Sequence, residues 1–162
     1  MPVKTEPRQP VVYDMMLLAD ALVALGNFRS VTRRHFRFCE RQKNLEQALT
    51  KIRCLSQFLS ATGRADIIKV TDTEFGGVAD KSFLESHFDT ISKFVSHLTD
   101  QRYKKNPKYP QPKLPTAIAA GKELLRALKN VLDPHKPSLK GDAAHWYGVF
   151  ESRYEDLIAA KE

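Results

Sequence analysis

Leu45, Ala48, Leu49, Ile52, Leu55, Phe58 and Leu59 recur at every third or fourth position. That spacing gathers them on one face of an α-helix, where a strand would scatter them over both faces. Leu84, Phe88, Ile91, Val95 and Leu98 repeat the pattern further along. A third run, residues 11–25, is apolar on nearly every side, which belongs in the middle of a bundle rather than on its surface. Helices of these kinds, joined by short polar stretches, bury their apolar faces only against one another. The expected fold is therefore all-α, a bundle of about five helices.

Punctuation residues set the expected limits. Residues 1–10, with Pro2, Pro7 and Pro10, read as a flexible leader, and the single helical domain occupies residues 11–162. Helix one covers 11–25 and stops at Gly26-Asn27. Helix two runs over 32–62 to Gly63, its polar start at 33–43 projecting beyond the body. Residues 64–81 read as a loop with a short extended piece at 67–70. Ser82 and Glu85 make a capping box for helix three, 83–103. A basic, proline-rich connector at 104–115 is too rich in proline to be helical. Helix four covers 116–132, and Asp142 is the expected N-cap of helix five, which packs through Trp146, Phe150, Tyr154 and Leu157.

Composition narrows the function classes. At 162 residues, 42% hydrophobic and 28% charged, the chain has the make-up of one ordinary globular domain. Lys and Arg outnumber Asp and Glu 26 to 19, with a pI near 9.5. The excess favours acidic partners such as RNA or another polyanion, an anionic membrane surface or an acidic protein, and equally describes a solvated basic surface. Cys39 and Cys54 fall on one expected helix about 22 Å apart, too far to pair, and read as reduced core thiols of a cytoplasmic protein. The run at 11–25 carries Asp14 and Asp20 and is shorter than the roughly 20 residues of a bilayer span, so no membrane partner is expected.

Phosphate-cradling glycine loops, zinc-type Cys or His spacings and nucleophile elbows are all absent from the sequence. No metal or other cofactor is expected. Among the five histidines, His97 stands out because Lys93 lies one turn before it and Arg102 five residues after. One proton carrier and two cations are what chemistry on a phosphodiester requires. On a straight helix Arg102 lies about 140° around from His97, so aiming both at one atom needs a bend near Asp100 or a dimer. In the alternative, Lys93 and His97 are solvated and Arg102 caps Asp14 or Asp20, while Asp66 pairs with Arg53.

The helix around Arg53, the Asp66-Ile67-Ile68 loop and the stretch Lys93-x-x-x-His97-Leu98-Thr99-x-x-Arg102 resemble a group of uncharacterised bacterial helical proteins. Arg53, Asp66, Lys93, His97 and Arg102 match that group's pattern. The group is in turn similar to HEPN-type bundles, several of which are ribonucleases of toxin-antitoxin and phage-defence systems, usually dimeric. HEPN nucleases place Arg before His, whereas here His97 precedes Arg102; the forward order occurs at Arg29 and His35.

The resemblance implies an RNA-binding or RNA-cleaving protein acting as a homodimer. His97, Arg102 and Lys93 would be catalytic, Lys104, Lys105, Lys108 and Lys113 would bind nucleic acid, and Arg53 and Asp66 would support the site. Tyr103 and Tyr109, interleaved with those lysines, would stack on bases. The competing expectation is a non-catalytic helical module that binds a protein partner. Salt separates the two, because phosphate contacts weaken steeply with ionic strength and apolar interfaces do not.

Overall fold

The computed structural model describes residues 5–27, 34–83, 91 and 112–160. Within them lie four long α-helices, α1 (Gln9–Asn27), α2 (Arg34–Ser60), α3 (Leu114–Leu132) and α4 (Gly141–Ala159), with a 3-10 turn at Asp133–Ser138. There is no strand among the described residues. Ser82, Phe83 and Ile91 are helical where the third helix is expected, and its remaining residues lie outside the described set, as does Glu85 of the expected capping box. Ser82 itself is bonded to Asp80, whose Oδ1 accepts both the Ser82 N–H, at 2.9 Å, and the Ser82 hydroxyl, at 2.6 Å.

α1 is the axle of the bundle and packs against α2, α3 and α4. Val12, Met15, Leu18, Ala19 and Leu22 are fully buried, as expected for a helix apolar on several sides. Each large aliphatic side chain so buried contributes about 1.5–3 kcal/mol. By length and composition Gln9–Gly26 also passes for a membrane span; in the bundle its apolar residues form the floor on which the other helices sit. The helix starts two residues before its expected beginning, because Pro10 is tolerated in a first turn where its missing N–H has no partner to lose. Arg8 fastens this end, donating to both oxygens of Glu6 and to the Ser138 hydroxyl and carbonyl.

The stripe on α2 is buried as its spacing requires, from Leu45 to Leu59. The helix stops at Ser60, earlier than its expected end near Gly63. Ala61 adopts the left-handed conformation, φ 54°, and its N–H returns to Phe58 O while Thr62 N–H returns to Gln57 O. This is a Schellman closure built on alanine instead of glycine. Residues 64–81 are turns and irregular backbone, with no strand at 67–70, yet they are tied down. Val70 N–H donates to Phe58 O, Asp80 N–H to Leu59 O, and Gly77 N–H to Val70 O. Val70 is fully buried, and Phe75 packs edge-on against Phe58 with ring centroids 4.8 Å apart.

α3 begins at Leu114, so Pro115 belongs to its first turn and not to the connector. Leu124, Leu125, Leu128 and Leu132 face the core, and Gly121 lets α1 approach: a Cβ there would lie 2.5 Å from Leu22 Cδ1. α4 is capped by Lys140 rather than by Asp142, which sits within the first turn. Its buried face is Ala143, Tyr147, Phe150, Tyr154 and Leu157; Trp146, expected in the core stripe, is half-buried at the edge. Salt bridges Lys51–Asp14 (2.6 Å) and Arg153–Asp20 (3.2 Å) bind α2 and α4 to α1. Such solvent-touching pairs contribute roughly 0–1 kcal/mol each.

Candidate functional site

His97, Lys93, Arg102, Lys104, Lys105 and Lys108 all lie outside the described residues. Three sequence-derived candidates lie inside. Lys113 is exposed on extended backbone, φ −63° and ψ 142°, immediately before α3. Arg53 is half-buried on α2, and Asp66 is exposed in the turn segment that follows that helix. No ion pair joins Arg53 to Asp66 among the described residues. The carboxylates offered to Arg102 are already engaged, Asp14 by Lys51 and Asp20 by Arg153. Arg53 sits on a different face of α2 from Lys51, and whether Arg102 meets either carboxylate falls outside the described residues.

Other titratable groups separate into ties and open surface. His135 Nε2 lies 2.8 Å from the Phe75 carbonyl. A carbonyl only accepts, so Nε2 carries the proton and clamps the 3-10 turn to the turn segment. His145 is exposed on α4. Cys39 and Cys54 share α2, as their spacing suggests, but Cys54 is exposed and not a core thiol. Partial burial of its side chain, together with the neighbouring Asp14 carboxylate, pushes the Cys54 thiol above its ordinary pKa, so it stays protonated. No group of three or more metal-ligating side chains occurs among the described residues.

A concavity lies where the start of α1, the turn segment and the first half of α4 meet. It is an open cleft of about 630 Å³ beside Tyr13, Phe75 and Trp146, with Glu6, Asp72 and Glu74 among its lining residues. Tyr13 and Trp146 are in ring contact, centroids 4.5 Å apart and planes 44° apart. Each wall has a local cause. Pro7 and Pro10 lead the chain into α1, and Arg8 holds that entrance to Ser138. The turn segment is fixed by Asp72, whose Oδ2 accepts Lys69 N–H at 2.8 Å and whose carbonyl accepts Phe75 and Gly76 N–H. The Arg8 guanidinium beside Glu6 holds that carboxyl below the usual carboxylate range, so Glu6 is anionic.

Sequence reasoning missed this cleft, although one signal was present. On α4 the series Ala143, Tyr147, Phe150, Tyr154 and Leu157 keeps a strict four-three spacing. It leaves the adjacent Trp146 about 60° from the centre of the core face, at the boundary where a large amphipathic ring lines a cleft. Compared with protein-family models, with curated proteins and with solved structures, the chain matches none.

Proposed function

We propose that the protein binds RNA through two basic segments of its sequence, and that it is a HEPN-like bundle in which His97 serves RNA cleavage. The observation that carries this reading is the segregation of charge. Residues 28–62 hold eight Lys and Arg against two carboxylates, and residues 93–113 hold six against one. The rest of the chain is mildly acidic, with sixteen carboxylates against twelve cations. A basic surface kept only for solubility has no need of such concentration, whereas a strand of phosphates attracts a concentrated field. Lys113, exposed on extended backbone at the entrance to α3, is available to a phosphate.

In the cleaving form, the His97 imidazole takes the 2′-hydroxyl proton or returns a proton to the leaving 5′-oxygen. Lys93 and Arg102 neutralise the phosphate, and a homodimer supplies a second set of these groups. The activity belongs with the toxin-antitoxin and phage-defence roles of the proteins the motif resembles. Incubation of end-labelled single-stranded and structured RNAs with wild type and His97→Ala, with and without EDTA, tests it. The expected result is metal-independent cleavage that disappears in the variant; intact RNA throughout removes the enzyme.

A second reading, a non-catalytic module for a protein partner, is favoured by an apolar groove of about 500 Å³ at the opposite end of α1. Leu22, Leu25, Ile118 and Leu157 line it. On that reading partner binding survives both raised salt and His97→Ala.

A further inference from the structure

The cleft between α1, α4 and the turn segment has the wrong charge for the partner that the basic segments attract. In a chain where cations outnumber carboxylates 26 to 19, its lining holds Glu6, Asp72 and Glu74 and, among the described residues, not one Lys, Arg or His. Glu6 is matched by Arg8 at 2.6 Å. Among the described residues neither Asp72 nor Glu74 meets a cationic side chain; Asp72 accepts Lys69 N–H, and Glu74 accepts the Thr73 hydroxyl at 3.3 Å. Two net negative charges therefore stand at a cavity whose other walls are aromatic and aliphatic.

The three rings come from parts of the chain far apart in sequence, and each is held by its own constraint. Tyr13 and Trp146 brace each other. Phe75 is buried against Phe58, with its carbonyl bonded to His135. Tyr13 nevertheless leaves 39% of its surface open, and Trp146 is half-buried. Ring faces carry negative quadrupole charge and attract a cation, most strongly where tryptophan takes part and the cation is weakly hydrated. The volume, about 630 Å³, lies within the roughly 300–1,000 Å³ range of small-ligand sites.

We propose that this cleft is a binding site for an organic ammonium cation, seated against Tyr13, Trp146 and Phe75 and balanced by Asp72 and Glu74. The site is separate from the basic segments and from His97. An alkylated ammonium ion reaches it either as a free small molecule or on a methylated lysine side chain of an extended peptide. Both present the same alkylated nitrogen to the rings, and an inorganic cation, with its tight hydration shell, does not replace it.

Trp146 is the chain's single tryptophan, so intrinsic fluorescence reports on the cleft directly. The probes are choline, its neutral isostere 3,3-dimethylbutan-1-ol, sodium chloride at matched ionic strength, and a short peptide carrying trimethyl-lysine. The expected result is a saturable fluorescence change with choline or the peptide, at least tenfold weaker with the isostere and absent with sodium. Glu74→Gln, at an exposed position whose loss leaves the turn intact, is expected to weaken binding several-fold, and Asp72→Asn further. Choline binding identifies a small-molecule site and peptide-only binding a docking site for methylated lysine. The proposal is overturned if the isostere binds as well as choline, if Glu74→Gln leaves the affinity unchanged, or if neither ammonium probe saturates.

Discussion

The Tyr147 hydroxyl donates to Asp133 Oδ1 across 2.5 Å, joining the buried face of α4 to the turn that ends α3. Lys129 Nζ donates to the same carboxylate at 2.7 Å, so Asp133 is gripped from two helices. Burial favours the neutral acid, but the bonds from Lys129 and Tyr147 outweigh it and hold Asp133 below the usual carboxylate range. Burial and the neighbouring carboxylate push the Tyr147 phenol far above its ordinary pKa, so it remains a donor at every physiological pH.

Tyr147→Phe keeps the ring and removes the donor, and is expected to cost about 1.5–3 kcal/mol, the usual worth of a hydrogen bond to a charged group. A carboxylate with a depressed folded-state pKa contributes stability above its unfolded pKa and loses it as pH falls through the folded one. The deficit of the variant should therefore be full at neutral pH and shrink below about pH 4. Urea denaturation of both proteins at pH 7 and pH 3 checks this; an equal deficit at the two pH values would show that the bond is not to an ionised Asp133.

Ala61 closes α2 with φ 54°, a backbone conformation that costs an L-residue roughly 1–2 kcal/mol and glycine almost nothing. Ala61→Gly is expected to stabilise the protein by about 0.5–1 kcal/mol, the gain at the cap being partly offset by the freer unfolded chain. Thermal denaturation of the two proteins measures it, and a lower melting temperature for the variant would count against the Schellman closure.

Gly121 and Leu22 are expected to be energetically coupled. Gly121→Ala drives a methyl to 2.5 Å from Leu22 Cδ1, and overpacking of this kind costs about 1–3 kcal/mol. In a Leu22→Ala background the obstacle is gone, and alanine's helix preference of about 1 kcal/mol should make the same change neutral or favourable. A double-mutant cycle in urea reads the coupling; strictly additive effects would mean that α1 and α3 do not approach at this point.

The helices were legible because their apolar residues obey one period for several turns. Leu45 to Leu59 are buried as spacing requires. What escaped was decided by a few residues acting across the fold. The end of α2 depends on the turn segment offering Val70 and Asp80 N–H groups to the Phe58 and Leu59 carbonyls, which no local signal announces. The start of α3 shifted because proline, a breaker inside a helix, is compatible with its first turn. Arg53 and Asp66 were near in sequence pattern yet form no pair, since a helical face fixes where Arg53 points. The cleft was invisible for the same reason: Tyr13, Phe75 and Trp146 meet only when three segments are assembled.

Loss of the clamp between the 3-10 turn and the turn segment should loosen the cleft without unfolding the bundle. His135→Ala removes the donor to the Phe75 carbonyl, leaving that acceptor to water at an expected cost of about 1 kcal/mol. Amide exchange at Phe75, Gly76 and Gly77 is expected to quicken while α1 and α3 stay protected. Faster exchange in α1 and α3 as well would mean that His135 supports the whole core.

The most direct test of RNA binding by the basic segments is the affinity of a labelled single-stranded RNA measured from about 50 to 200 mM salt, a range over which phosphate-bound cations exchange with the solvent. Wild type is compared with a variant carrying Gln at Lys104, Lys105, Lys108 and Lys113. The expected result is a log-log line falling steeply with salt for the wild type, and in the variant a slope shallower by roughly 0.7 for each phosphate no longer neutralised. Absence of binding at the lowest salt, or the same slope in both proteins, would contradict RNA as the partner of these segments.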